Sequence, residues 1–212
     1  MAVIHHTTLI PTKFELLAAW LPGRSWYRGG PVPALVRVGG GFRLDDPAGE
    51  VGVEFAVVAE TSGEGVVTYL VPMSYRGAPL EGGEGGLIGT MEHGVLGKRW
   101  AYDSLHDPVL VAELLALLGG RTEAQHQHLT DTAASGLVVA SAGEAAIDAA
   151  RFAGGRVEDG GDATVLTAPD GASLRLHRIL ASDDAAVFAE LCETSGQAVA
   201  TLTGRLGSVP RP

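Results

Sequence analysis

Trp20-Leu21-Pro22-Gly23-Arg24-Ser25-Trp26-Tyr27-Arg28-Gly29-Gly30 is the stretch from which the fold is read, because an apolar helix ends there in an aromatic loop. Ahead of it Thr12 stands where a helix cap belongs, and Phe14, Leu16, Leu17 and Trp20 recur at helical spacing until Pro22 stops the run. Burying an indole removes roughly 150 Å² or more of ring surface from water, so a tryptophan pair beside a helix end nucleates a core or a docking face. Residues 3–10, β-branched and closed by Pro11, suit a strand leading into this helix.

Downstream the pattern turns to strands. Residues 51–60 and 66–75 alternate around Thr61-Ser62-Gly63-Glu64-Gly65, a hairpin loop by composition. Residues 34–38 and 42–44 are expected to pair across Gly39-Gly40-Gly41, and residues 87–91 and 98–102 across His93-Gly94, giving a sheet of five or six strands. Asp107-Pro108 opens a second helix with an apolar face, and Gly119-Gly120 closes it. The polar residues 121–135 read as a linker. Beyond them, residues 163–167 and 172–180 flank the turn Pro169-Asp170-Gly171, and the alanine-rich residues 183–200 read as one or two terminal helices.

The fold class is therefore α+β. An antiparallel sheet with flanking helices occupies residues 1–120, and a smaller α+β unit occupies 136–212. All three tryptophans lie in the first unit, enough for a core of its own, whereas the second has only Phe152 and Phe188 as aromatics and should lean on the first.

A net charge of −10 repels nucleic acid and anionic membranes over most of the surface. The single cysteine, Cys192, forms no intrachain disulfide, and no apolar run has the length of a membrane span, so a soluble cytoplasmic protein is expected. The oligomeric state is left open.

Chemical motifs are sparse. Gly82-Gly83-Glu84-Gly85-Gly86-Leu87-Ile88-Gly89 has the composition of a phosphate loop without the spacing, and Gly97-Lys98 is followed by Arg99 where Mg²⁺ needs Ser or Thr. His126-Gln127-His128 with Asp131 carries metal-ligand types, but such a pair in a polar linker is normally solvated. His5-His6 on a strand would point to opposite faces. No serine elbow or cysteine-nucleophile signature occurs, so no catalytic, cofactor or metal residue is assigned and no cofactor is expected. Two clusters place cations beside aromatics: Trp20, Arg24, Trp26 and Tyr27, and then Lys98, Arg99, Trp100 and Tyr102. These eight are the candidate contacts for a protein partner or a small carbohydrate, set against ordinary core packing.

Three segments carry a resemblance. Trp20-Leu21-Pro22-Gly23-Arg24-Ser25-Trp26-Tyr27 resembles the L-P-x-R-W-F segment that opens the N-terminal cap of bacterial maltokinases, including the kinase part fused to trehalose synthase. Tyr69-Leu70-Val71-Pro72-Met73 is similar to the later Y-x-x-P strand of that cap, and Tyr102-Asp103-Ser104-Leu105-His106-Asp107-Pro108 to its Y-D-x-x-x-D-P segment. The likeness covers about residues 1–120. It implies a curled antiparallel sheet with helices, in those kinases mounted on a body that phosphorylates maltose for α-glucan synthesis; stand-alone relatives are sometimes labelled 1,4-α-glucan branching proteins. Further on, Leu174-Arg175-Leu176-His177-Arg178-Ile179-Leu180 resembles the kinase strand of the nucleotide-binding lysine, with Arg175 in the lysine's place. Phosphoryl transfer also needs a catalytic Asp and Mg²⁺ ligands, for which the residues after Leu180 leave little room.

The resemblance thus implies a non-catalytic cap that binds or regulates a partner in α-glucan, maltose or trehalose metabolism. A carbohydrate-binding module presenting Trp20, Trp26, Trp100 and Tyr102 is the alternative. A glucan-branching enzyme ranks below both, because its barrel scaffold needs more chain than 212 residues of this pattern.

Overall fold

The computed structural model describes residues 8–127, 129, 132–141, 148–181 and 185–207. His5, His6, His128, Asp131 and the first residues of the expected terminal helix lie outside them. The described chain runs β1 (Leu9–Ile10), α1 (Lys13–Trp20), β2 (Leu35–Arg37), β3 (Phe42–Asp45), β4 (Gly52–Glu60), β5 (Val67–Arg76), β6 (Leu87–His93), β7 (Gly97–Asp103), α2 (Pro108–Leu118) and β8 (Gln125–His126). It continues through β9 (Leu137–Ser141), β10 (Arg156–Gly160), β11 (Ala163–Thr167), β12 (Ser173–His177), β13 (Ile179–Leu180), β14 (Ala186–Cys192) and β15 (Ala198–Gly204).

Two antiparallel sheets and two short helices make an α+β fold. The first sheet has the order β1-β6-β7-β5-β4-β3-β8, with β2 also on β4 and β13 also on β5. The second has the order β10-β11-β12-β14-β15-β9. Both are open sheets, and the curl implied by the resemblance is not seen.

The local signals act as read at several places. Thr12 and Glu15 form a reciprocal cap on α1, Thr12 N–H donating to Glu15 Oε2 at 2.7 Å and Glu15 N–H to Thr12 Oγ1 at 3.3 Å. The β4–β5 hairpin pairs from Gly52 with Tyr75 to Glu60 with Val67, and β6–β7 and β11–β12 close as expected. Asp107 caps α2, with Pro108 at its first position.

Three expectations are corrected. The strands β2 and β3 do not pair with each other; both lie along β4, Leu35–Arg37 against its far end and Phe42–Asp45 against its near end. The three glycines are a break between two strands that share one side of β4 rather than a hairpin turn. Their smallness serves a chain crossing: Gly40 has φ +104°, and a Cβ there would stand 2.6 Å from the Arg205 carbonyl oxygen. The first sheet also has nine strands rather than five or six, because β1 pairs on β6 and because β8 and β13 join it from segments read as linker and as second unit.

The third correction concerns residues 183–200, whose described part is the hairpin β14–β15 and not a helix. A register shift between Val187 and Ala189 breaks the two-residue alternation, which left Val187 and Leu191 at a helix-like spacing. Pairing with β12 and β15 overrides the helix preference of the alanines.

Each face of the first sheet has its own packing layer. On one face Leu16, Leu17, Trp20 and Leu21 meet Ala56, Val58, Tyr69, Val71 and Met73, with Trp26 beside them. On the other, Leu110, Leu114, Leu115 and Leu118 of α2 join Phe42, Phe55 and Leu70 to Leu174, Leu176, Phe188 and Leu202 of the second sheet. Phe42 stacks on Phe55 at 4.3 Å and on Phe188 at 6.2 Å, so aromatic contact runs from one sheet to the other.

The joint between sheets is short. β12 belongs to the second sheet and β13 to the first, with Arg178 alone between them. Its backbone carbonyl accepts from Leu70 N–H at 2.9 Å, and its fully buried guanidinium donates to both Asp103 oxygens, at 2.7 and 2.5 Å, and to Thr164 Oγ1 at 2.7 Å. The same group lies 5.0 Å from the Trp26 ring centre.

Two outcomes are expected. Asp103→Asn strands a buried cation and should cost about 3–5 kcal/mol in chemical denaturation, most of it recovered by pairing the change with Arg178→Met. Phe188→Ala should cost about 3–5 kcal/mol. Because all three tryptophans precede residue 120, melting followed by tryptophan fluorescence will show whether a loss in the second sheet is felt in the first.

Candidate functional site

α1 covers only part of its face of the first sheet. Where the helix begins, the sheet is left open as a groove of about 430 Å³, a size that accepts a small molecule. Leu9 of β1, Met91 and His93 of β6, Leu96 of the β6–β7 turn and Arg99 of β7 form one wall; the loop of Asp46, Gly49, Glu50 and Val51 forms the other. Lys13, Gly52, Glu54 and Tyr75 complete the lining.

Local structure explains the position of each. The cap at Thr12 starts α1 so that Lys13, its first residue, stands over β4. There its ammonium pairs with the Glu54 carboxylate, both side chains being largely buried. Tyr75, on the neighbouring strand, donates its hydroxyl to Glu54 Oε2 at 3.1 Å, and Gln127, just past β8, donates its amide to Glu54 Oε1. The opposite loop is held by Asp46, whose carboxylate accepts from the backbone N–H of Ala48 at 3.0 Å and of Glu50 and Val51 at 2.9 Å.

Electrostatics fix the protonation states. Burial by itself would raise the Glu54 carboxyl, but the Lys13 charge and the hydrogen bonds from Lys13, Gln127 and Tyr75 outweigh it and hold the group below its ordinary value. The Tyr75 phenol is pushed well above its ordinary value by burial, and then by the Glu54 charge. The groove at neutral pH thus presents an ionised, fully engaged carboxylate and a neutral phenol. Such a carboxylate is a poor base. His93 Nδ1 accepts from the N–H of Val95 at 3.3 Å and of Leu96 at 3.1 Å, which puts the proton of a neutral ring on Nε2. Among the described residues no cluster of three or more His, Cys, Asp or Glu is placed to hold a metal ion.

The eight residues singled out from sequence fall in different places. Trp20, Trp26 and Tyr102 are 9%, 1% and 3% exposed, so their ring faces are taken up by the protein's own packing. Trp20 and Trp26 meet edge to face at 5.8 Å, Arg24 lies 4.9 Å from the Trp20 ring centre, and Tyr27 stacks on Tyr69 at 5.9 Å. Burial and the hydrogen bond to Glu60 push the Tyr27 phenol up to about 12. The Tyr102 hydroxyl accepts from Leu80 N–H at 2.8 Å, while exposed Lys98 lies 5.1 Å from the half-buried Trp100 ring. Of the eight, Arg99 alone lines the groove.

Sequence reading passed over Lys13, Glu54, Tyr75 and Gln127. One signal was there: Glu54 is a carboxylate inside the apolar run Val53-Glu54-Phe55-Ala56-Val57-Val58. A charge in the middle of a buried strand needs a partner, and the partner is what locates the groove.

Fold and site together define an antiparallel α+β domain with a ligand-sized groove. Residues 20–107 match the family model described as the maltokinase N-terminal cap domain, the family to which the three sequence segments point. Comparison with curated proteins finds no match. No described helix is long and apolar enough to cross a membrane.

The pH behaviour follows from Glu54. Its folded value lies below its unfolded one, so its ionised form adds stability that is present above the ordinary carboxylate value and is lost as pH falls through the depressed folded value. Melting temperature measured against pH should therefore drop on the acid side. Glu54→Gln should flatten that drop and, by leaving Lys13 without its counter-charge, cost about 3 kcal/mol at neutral pH.

Proposed function

We propose that this protein is a non-catalytic cap that docks on a partner enzyme of α-glucan, maltose or trehalose metabolism in the cytoplasm and regulates it. The observation that carries this reading is the match of residues 20–107 to the maltokinase cap. It is supported by the chemistry of the motif residues. Asp103 and Asp107, the two acids of the Y-D-x-x-x-D-P segment, are both engaged in building the fold. Asp103 holds Arg178, and Asp107 takes a two-pronged bond from Arg76 at 2.7 Å for each contact while capping α2. A segment used in this way makes a rigid platform, which suits docking. In this reading residues 1–120 carry the docking role and residues 136–212 brace them through the segment 121–135.

Affinity capture of the full chain from its native cells, after mild crosslinking, is expected to recover an enzyme acting on α-glucans, maltose or trehalose, and to lose it as salt rises if the contact is polar. Recovery of the free monomer at every salt concentration would overturn the docking reading. Incubation of the pure protein with amylose is expected to leave its linkages unchanged; new α-1,6 branches would overturn the non-catalytic part.

A further inference from the structure

We propose that the groove between α1 and the loop of residues 46–51 binds a neutral polyhydroxylated ligand of mono- or disaccharide size. Charge sets the first limit on what fits. Lys13 and Glu54 neutralise each other deep in the groove, and Asp46 is occupied by three backbone amides. An anionic ligand would be set beside Glu54, Asp46 and Glu50, and a cationic one beside Lys13 and Arg99. A neutral ligand meets neither repulsion.

Hydrogen-bonding capacity points the same way. An ammonium has three N–H donors, and a phenol that donates its proton still accepts through its oxygen. Lys13 and Tyr75 therefore offer donors and acceptors side by side, next to a carboxylate that orients both. Hydroxyl groups, which donate and accept at once, suit such a mixture better than groups restricted to one role. The walls supply the rest: Leu9, Val51, Met91 and Leu96 are apolar and match the C–H face of a sugar ring. This surface is not the one the tryptophan motif suggested, and binding there does not depend on docking to a partner. A protein that binds sugar yet captures no partner would keep this inference and lose the other.

The test is titration of the full-length protein, followed by amide shifts of Gly52, Met91 and His93, with glucose, maltose, gluconate and glucosamine. Glucose or maltose should give saturable shifts confined to the groove, and gluconate and glucosamine should bind about tenfold more weakly or not at all. Gly52→Phe should weaken sugar binding about tenfold. A Cβ at Gly52 meets only Tyr75 side-chain atoms at 3.6 Å, an ordinary contact, so the ring can fill the groove without backbone strain. Should that variant melt without cooperativity, Leu96→Trp in the exposed turn takes its place as the blocking change. The proposal is overturned by the absence of a saturable shift with either neutral sugar, by charged analogues that bind as well, or by a folded blocked variant that binds undiminished.

Discussion

One buried cation governs how this molecule is put together. Arg178 sits between the last residue of one sheet's strand and the first of another's, and its guanidinium donates through Nη2 to Asp103 from the first sheet and through Nε to Thr164 from the second. A buried ion pair adds little over an apolar pair of the same shape, but it tolerates few alternative geometries, since a misplaced charge in the interior is costly. The consequence is positional. With Asp103 and Thr164 both holding Arg178, β13 lies in register on β5 and the guanidinium lies over the Trp26 ring.

Much of the first sheet was legible because its signals are local. A cap at Thr12, a proline at a helix start, a glycine turn and alternating strands each specify structure within a few residues, and α1, α2 and the β4–β5 and β6–β7 hairpins follow from them, as does β11–β12 in the second sheet. What was not legible depends on partners far along the chain. The strands β2 and β3 read as a hairpin because the sequence between them is glycine, and only the Arg205 carbonyl crossing at Gly40 shows what the glycines serve. The β14–β15 hairpin was hidden by alanines and by a bulge, both of which local patterns assign to helix.

The candidate site divides along the same line. Aromatic and cationic residues drew attention to Trp20, Trp26 and Tyr102, but large rings at strand and helix spacing were needed first for packing. The groove is lined instead by groups that look unremarkable in sequence, a lysine at a helix start, a glutamate in an apolar strand and a tyrosine, with a glutamine bonded to that glutamate. Lys13 and Gln127 lie outside the stretch matched to the maltokinase cap, and Glu54 and Tyr75 lie inside it. The floor of the groove thus joins matched to unmatched chain.

The crossing at the glycine break also ties the two sheets by main chain. Gly207 N–H donates to the Gly39 carbonyl at 2.9 Å, so the strand β15, though it belongs to the second sheet, delivers its end to the edge of the first. Even a single methyl group at Gly39 would stand 3.2 Å from the Gly207 Cα, so a change in the break between β2 and β3 is felt at the end of a strand of the other sheet.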